Sequence, residues 1–275
     1  MRLAVFGGDE RMQGAIAAAK EAGWEALHIC KEDDAPRNWE SVDAVMLPWP
    51  HSFREGKITG GEMTKEQVLS ILPPCEVMLY GSGAEKEELA KARRLIDPSL
   101  DEGFLRTNAK LTAEGAIARA MSREKRALLG STCVVTGFGR IGQELARRLT
   151  AMEAFVIVCA RNEGQMRCAH EMGAHPVPLA EIDSALRHAD VVFNTIPARV
   201  LGKAALDKIR RDALVIELAS PPYGMNIELA KHMGIHVAVE GGLPGRYAAY
   251  DAGAALFDVL RRAMDIDKEG RDCDG

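Results

Sequence analysis

The sequence has little of what would direct it to a membrane, a nucleic acid or a metal. Its 275 residues contain no apolar run near the roughly 20 residues that span a bilayer. The formal net charge is −5, with no local basic cluster, and this charge disfavours a phosphate backbone as partner. The six cysteines include no CxxC pair, and no compact set of histidine, cysteine and carboxylate has zinc spacing. We therefore expect no membrane segment, no nucleic-acid partner, no metal site and reduced thiols.

The opening residues lack the long apolar stretch and small-residue cleavage site of a secretory signal peptide. Met1–Gly8 instead leads directly into a short strand and a glycine turn. Hydrophobic residues make up 47% of the sequence and charged residues 27%, a balance typical of globular rather than disordered proteins. The sequence therefore predicts a folded protein of the cytoplasm.

Short β-type segments alternate with helical patterns along most of the chain, which predicts parallel sheets flanked by helices. We expect an α/β protein of two Rossmann-like, doubly wound parallel-sheet domains joined by long interdomain helices. The expected boundaries are 1–108 for a substrate-side domain and 109–245 for a nucleotide-binding domain, whose connecting helix opens at Thr112. The final helix, 246–275, is expected to pack back on the first domain. A short charged helix is predicted near Glu85–Arg94. Because ligands bind outside the carboxyl ends of such strands, this layout predicts a cleft enzyme.

One glycine motif stands in the context that dinucleotide binding requires. Gly137-Phe138-Gly139-Arg140-Ile141-Gly142 is a GxGxxG that follows the predicted strand Thr132–Thr136 and opens a helix. The first glycine allows the tight turn, the second admits the pyrophosphate, and the third lets helix and strand pack closely. The helix N-terminus adds amides and a positive dipole for the phosphates. The motif predicts a nicotinamide dinucleotide site.

The next predicted strand ends in Arg161 and Asn162. An NAD site places Asp or Glu about 20 residues beyond the glycines, where it binds the ribose 2′-hydroxyl. A guanidinium instead matches a 2′-phosphate, so the expected cofactor is NADP. An ordinary solvated arginine gives the same pattern, and Glu163 stands close by, so that alternative stays open.

Two further predicted strands end in segments expected to pass the cofactor ribose and nicotinamide. The first contributes Thr195, Ile196 and Pro197, and the second Ala219 and Ser220. Loop residues that only end strands look much the same, so this assignment depends on their position in the fold.

Several motifs carry a resemblance to a known family. They are Val5-Phe6-Gly7-Gly8-Asp9-Glu10-Arg11, Leu47-Pro48, Thr112-Ala113-Glu114-Gly115, Gly137–Gly142, Ala160-Arg161, Asn194–Pro197, Leu218-Ala219-Ser220 and Gly242-Leu243-Pro244-Gly245. Together, the first of these, the segment at Thr112 and the turn at Gly242 are more specific than the glycine fingerprint. In these motifs the chain resembles the family of dipicolinate synthase A subunits over nearly its whole length. The resemblance implies NADP-dependent dehydrogenation of a dihydrodipicolinate, formed from the lysine-pathway intermediate 4-hydroxy-tetrahydrodipicolinate, in the sporulating mother cell. It also implies a dicarboxylate substrate and a partner, the flavoprotein-like B subunit of dipicolinate synthase.

The catalytic candidates come from position alone. His51 follows a strand in a Pro/Trp loop and is a candidate for proton transfer, although a lone histidine is more often structural. Glu114 lies near the expected start of the connecting helix and is a catalytic candidate. The alternative is that it caps this helix. Arg246, with Arg11, is a candidate for carboxylate binding. The segment 246–250 and the loop 49–61 depart from the family pattern.

Two alternatives remain. A D-2-hydroxyacid-dehydrogenase-like reductase shares the layout, but its arginine would follow the strand at Leu218, where this chain has Ala219-Ser220-Pro221-Pro222. Its histidine would lie near Gly241, where there is none. The other alternative is a non-catalytic protein that binds NADP while a partner performs the chemistry. The small residues around Gly253 suit a helix–helix contact, so a homo-oligomer also stays open.

Overall fold

The computed structural model describes residues 1–36, 39, 41–124 and 127–272. The chain divides into two compact units, residues 1–108 with 248–275 and residues 109–247. The strands are β1 (Arg2–Phe6), β2 (Glu25–Ile29), β3 (Ala44–Met46), β4 (Phe53–Arg54), β5 (Lys57–Ile58), β6 (Cys75–Leu79), β7 (Ala92–Ile96), β8 (Thr132–Thr136), β9 (Phe155–Ala160), β10 (His175–Pro178), β11 (Val191–Asn194), β12 (Leu214–Glu217) and β13 (His236–Val239). The helices are α1 (Glu10–Glu21), α2 (Lys65–Ile71), α3 (Glu102–Glu124), α4 (Arg140–Ala151), α5 (Glu163–Glu171), α6 (Ile182–Leu186), α7 (Lys203–Leu206), α8 (Ile227–His232), α9 (Leu243–Tyr247) and α10 (Ala249–Asp272).

The first unit contains a five-stranded parallel sheet in the order β2-β1-β3-β6-β7. Alternate residues of β1, an interior strand of this sheet, enter opposite cores. Leu3 and Val5 face the core that α1 and α10 supply, whereas Ala4 and Phe6 face the core that includes Val68 of α2. A sheet buried on both faces explains why these strands are apolar throughout.

The second unit contains a six-stranded parallel sheet in the order β10-β9-β8-β11-β12-β13. On one face Cys133 and Val135 pack with residues of α3, α4 and α5. On the other face Val134 packs with residues of α6, α7 and α8. The α/β fold with two Rossmann-like parallel sheets confirms the fold class expected from the alternating pattern.

The predicted helix at Glu85–Arg94 is wrong. A short 3-10 turn, Lys86–Leu89, is followed by the edge strand β7, which pairs in parallel with β6. Its charged residues include the exposed Arg93, and they suit an edge strand that faces solvent on one side. Pairing with β6 therefore outweighs the local helical preference.

The connecting helix begins earlier than predicted. It starts at Glu102 rather than Thr112, because the carboxylate of Asp101 accepts a hydrogen bond from the Phe104 backbone N–H at 2.7 Å. A side-chain carboxylate at this place satisfies one of the amides that a helix start leaves unpaired. Glu114 is therefore an interior residue of α3 and does not cap it.

None of the helices in the described ranges is both long enough and apolar enough to cross a bilayer. Five cysteines lie in these ranges and all are free thiols, and Cys273 lies outside the described residues. Burial raises the pKa of the Cys159 thiol to about 12, which keeps this group protonated and unreactive.

Candidate active site

Two glycines of the GxGxxG motif are required by close packing. Gly137 has a φ of +92°, and a Cβ there would lie 2.7 Å from the Thr195 hydroxyl oxygen. A Cβ on Gly142 would lie 2.2 Å from the carbonyl oxygen of Gly137. These positions form a tight turn from β8 into α4 that no larger residue fits.

Gly139 differs, because its surroundings are open. A Cβ there would meet nothing within 4 Å, and its φ of −81° is accessible to any residue. Gly139 is also the N-cap of the twelve-residue α4, and no side chain caps the helix there. The start of α4 thus leaves open space beside a helix N-terminus, which suits a pyrophosphate.

In the first unit, the turn between β1 and α1 is capped by a side chain of the turn itself, that of Asp9. Asp9 is the N-cap of α1, and its carboxylate accepts a hydrogen bond from the Arg11 backbone N–H at 3.0 Å. The Arg11 guanidinium also donates to both carboxylate oxygens. Burial alone would raise the pKa of Asp9, but the hydrogen bonds and charge of Arg11 outweigh it and hold this pKa below its usual value. An ionised carboxylate here repels phosphate, so the geometry favours the second unit as the dinucleotide domain.

The other cofactor candidates differ in the exposure of their side chains. Phe138 and Ile196 are buried, so their side chains belong to the core. Thr195 donates its hydroxyl to the carbonyl of Thr136 at 2.8 Å, which ties the loop after β11 to the end of β8. The remaining candidates at this edge are partly or fully exposed: Arg140, Ile141, Pro197, Ala219 and Ser220.

Arg161 lies immediately after β9 and is exposed. Its backbone N–H donates to the Gln165 side chain at 3.3 Å, and Asn162 caps α5 by accepting from the Gln165 N–H at 2.9 Å. Within the described ranges, the Arg161 guanidinium forms no ion pair. The group expected to meet a 2′-phosphate is therefore available to an anion.

A buried carboxylate that the sequence analysis did not single out lies beneath these loops. Glu217 ends β12 and is fully buried, with Asn194 of β11 beside it. Its signal in the sequence is an acidic residue at the end of an otherwise apolar strand, Leu-Val-Ile-Glu. That pattern is ambiguous, because strands of this type often end in a solvated carboxylate.

Glu240, also missed from the sequence, is held by two arginines. Its side chain is 4% exposed and accepts hydrogen bonds from the guanidiniums of Arg119 and Arg246. Burial alone would raise the pKa of Glu240, but the two guanidiniums outweigh it and hold this pKa below its usual value. Two cations and one anion leave one net positive charge at the end of β13, and Arg246 stays half exposed.

This cluster gives a prediction for pH-dependent stability. Glu240→Gln is expected to lower the free energy of unfolding at pH 7 by about 2 kcal/mol, because two charge-assisted hydrogen bonds weaken. The lowered pKa of Glu240 means that its contribution is present above the unfolded-state pKa, about 4.3, and lost as pH falls through the folded-state value. Urea unfolding of both proteins from pH 7 to pH 3 measures the gap. A gap that does not shrink toward pH 3 contradicts the ionic origin.

Glu114 and His51 occupy different units. The exposed Glu114 carboxylate pairs with Arg148 of α4 at 3.0 Å. His51, in the first unit, has its Nδ1 2.6 Å from the Ser82 hydroxyl. Burial and the positive charge of Arg54 lower the pKa of His51, which favours a neutral ring able to accept a proton.

Two of the motifs that carry the family resemblance contact each other in the second unit. Gly115 of α3 faces Leu243 of α9, since a Cβ on Gly115 would lie 3.0 Å from the Leu243 Cβ. Both the Thr112–Gly115 and Gly242–Gly245 segments are thus constrained by one contact. In the part of the chain that the structure describes, no group of three or more His, Cys, Asp or Glu side chains could hold a metal ion.

The fold is of the Rossmann type, and comparison with known proteins supports an oxidoreductase with a nicotinamide-binding domain. Residues 102–222 match the family model of the D-isomer specific 2-hydroxyacid dehydrogenase, NAD binding domain. This match indicates a nicotinamide cofactor without distinguishing NAD from NADP.

Full-length relatives are more specific. The chain is 28% identical over 286 residues to the A subunit of dipicolinate synthase from Bacillus subtilis (strain 168). The aligned region covers 96% of each protein. Two crystal structures of dipicolinate synthase A chains are also similar, each at 28% identity. That from Bacillus halodurans gives a TM-score of 0.79 over 96% of this chain and 97% of its own. That from Bacillus subtilis gives 0.80 over 98% and 97%. The resemblance predicted from the motifs is confirmed.

Proposed function

We propose that this chain catalyses the NADP-dependent dehydrogenation of a dihydrodipicolinate, formed from 4-hydroxy-tetrahydrodipicolinate, to dipicolinate during sporulation. The observation that carries the proposal is the open, uncapped Gly139 turn in a chain similar along 96% of its length to a dipicolinate synthase A subunit. A partner, the B subunit of such an enzyme, is part of the proposal, because the relative is named as one of several subunits.

The reaction needs only modest help from side chains. A nicotinamide cofactor held at the Gly137–Gly142 turn would supply the hydride acceptor for one ring carbon, and the neighbouring ring position would lose a proton as the ring becomes aromatic. The protein must bind the carboxylates, orient the ring and accept that proton. In the second unit, the half-exposed Arg246 guanidinium is the proposed carboxylate ligand, since Glu240 holds it on one side and leaves one net positive charge. His51 stays the candidate proton acceptor and Glu114 a candidate polar group.

Arg161 gives the first test. Calorimetric titration is expected to show NADP binding at least about tenfold tighter than NAD, and Arg161→Ala is expected to remove the gap, roughly 1.4 kcal/mol or more. The reason is loss of a charge-assisted contact to the 2′-phosphate, so NAD affinity should not change.

Arg167→Ala is the matched control, because Arg167 is an exposed arginine of the adjoining α5. It removes the same charge six positions along the chain and should leave the preference for NADP intact. Equal binding of both cofactors by the unaltered protein excludes NADP specificity. Failure to bind either cofactor excludes the dehydrogenase itself.

Turnover of a freshly generated dihydrodipicolinate, followed as NADPH absorbance, tests the substrate. Activity of the purified chain excludes the non-catalytic alternative. NADP binding without turnover, until the B subunit is added, shows that the partner is required. The domain match at 102–222 favours one second candidate, a D-2-hydroxyacid reductase. Oxidation of a D-2-hydroxyacid in place of the dihydrodipicolinate would establish it.

A further inference from the structure

Three polar residues form one row beneath the proposed cofactor loops. Thr136, Asn194 and Glu217 are the last residues of three neighbouring strands, β8, β11 and β12, and they are register partners. All three are fully buried. Register partners on parallel strands point to the same face, so the row crosses the centre of the sheet at its carboxyl edge.

Hydrogen bonds connect the three side chains, and each is donated toward Glu217. The Thr136 hydroxyl donates to the Asn194 Oδ1 at 2.5 Å, and the Asn194 Nδ2 donates to the Glu217 carboxylate at 2.6 Å. The Asn194 amide also bonds to both backbone groups of Ile196, at 3.3 Å and 3.1 Å. The oxygen and the nitrogen of this side-chain amide therefore fix the first residues of the loop after β11.

Glu217 fixes the loop after β12 in the same way. Its carboxylate accepts hydrogen bonds from the backbone N–H groups of Ala219 and Gly224, each at 2.9 Å. The loop returns so closely over the row that a Cβ on Gly224 would lie 2.2 Å from the Asn194 Nδ2. One carboxylate thus sets the positions of both ends of this loop.

The chemistry of the row requires an acceptor at Glu217. The groups that point at it are N–H donors, and within the described residues no cationic side chain pairs with it. Burial raises the pKa of Glu217, although the hydrogen bonds from Asn194, Gly224 and Ala219 oppose that shift. A buried carboxylate without a cation is costly and is retained only where several donors satisfy it.

We propose that Glu217 is a positioning residue, whose carboxylate holds the 219–224 loop directly and the Thr195–Pro197 loop through Asn194 in the arrangement that receives the nicotinamide half of the cofactor. The inference rests on the proposed dinucleotide site, since both loops follow strands at the edge where that half is expected. The adenosine half is expected near Arg161, which follows β9. This strand is the neighbour of β8 on the side away from β11.

The test compares two ligands on Glu217→Gln. The glutamine keeps the size of the side chain but turns one acceptor into a donor that faces backbone N–H. We expect NADPH affinity to fall about tenfold or more by fluorescence titration. Affinity for 2′,5′-ADP, which lacks the nicotinamide half, should stay within about twofold of the unaltered protein.

The outcomes separate the proposals. Unchanged NADPH affinity overturns the positioning role, and an equal fall for both ligands shows a structural role only. If the unaltered protein binds neither ligand, the proposed function fails instead. Should Glu217→Gln not fold, Glu217→Asp serves in its place. Its shorter carboxylate withdraws from the Gly224 N–H, and the same selective loss for NADPH, but smaller, is required.

Discussion

Gly139→Val is expected to weaken NADP binding on the order of 100-fold, about 2.7 kcal/mol, while the unliganded protein keeps its fold. The backbone of Gly139 is extended, and a side chain there meets nothing within 4 Å in the unliganded protein. Stability should therefore change by no more than the N-cap preference, about 1 kcal/mol. The added methyl groups occupy the open space through which the pyrophosphate would approach the helix N-terminus.

Gly142→Ala is the contrasting variant in the same motif. Its Cβ would lie 2.2 Å from the Gly137 carbonyl oxygen, a backbone atom, so α4 must move away from the turn. Thermal unfolding without ligand should show a clear loss of stability for Gly142→Ala and no more than the N-cap loss of about 1 kcal/mol for Gly139→Val. Calorimetry with NADP should show loss for both. If Gly139→Val binds NADP as tightly as the unaltered protein, the cofactor must bind at another place.

The sequence could identify this motif because its requirements are local. A strand, three glycines and a helix within about a dozen residues predict the turn and indicate a dinucleotide as its ligand. What the spacing alone could not distinguish is the reason for each glycine. Gly137 and Gly142 are required by packing across the turn, and Gly139 is left open.

The two buried carboxylates could not be found in this way. Glu217 and Glu240 each end or follow an apolar strand, where a solvated acid is the common case. One side-chain partner of each comes from a distant part of the chain: Asn194 precedes Glu217 by 23 residues, and Arg119 precedes Glu240 by 121. Only the register of β11 with β12, and the packing of α3, bring these groups together.

The errors in the secondary structure have related causes. The charged segment before Ile96 has helical composition, but its place at the sheet edge makes it a strand. The start of α3 depends on one capping carboxylate, Asp101, that composition does not reveal. The fold class followed from periodicity summed over many elements, whereas these local features depend on single tertiary contacts.

The second large effect is expected at Gly253, in the first unit. Gly253 of α10 and Gly14 of α1 lie where the two helices touch. A Cβ on Gly253 would be 1.9 Å from the Arg11 carbonyl oxygen, and one on Gly14 would be 2.4 Å from the Tyr250 carbonyl oxygen. Because the obstructing atoms are backbone, the helices must separate. Gly253→Ala is therefore expected to lower the free energy of unfolding by about 3 kcal/mol.

Gly164→Ala makes the same chemical change in α5 without the obstruction, since its nearest contact is an ordinary 3.4 Å. It should leave stability unchanged or raise it by about 0.5–1 kcal/mol, the gain from alanine in a helix. Combining Gly14→Ala with Gly253→Ala should cost less than the two separate losses, because one separation of the helices relieves both contacts. Additive losses in urea unfolding would show that α1 and α10 respond independently, contrary to a shared glycine contact.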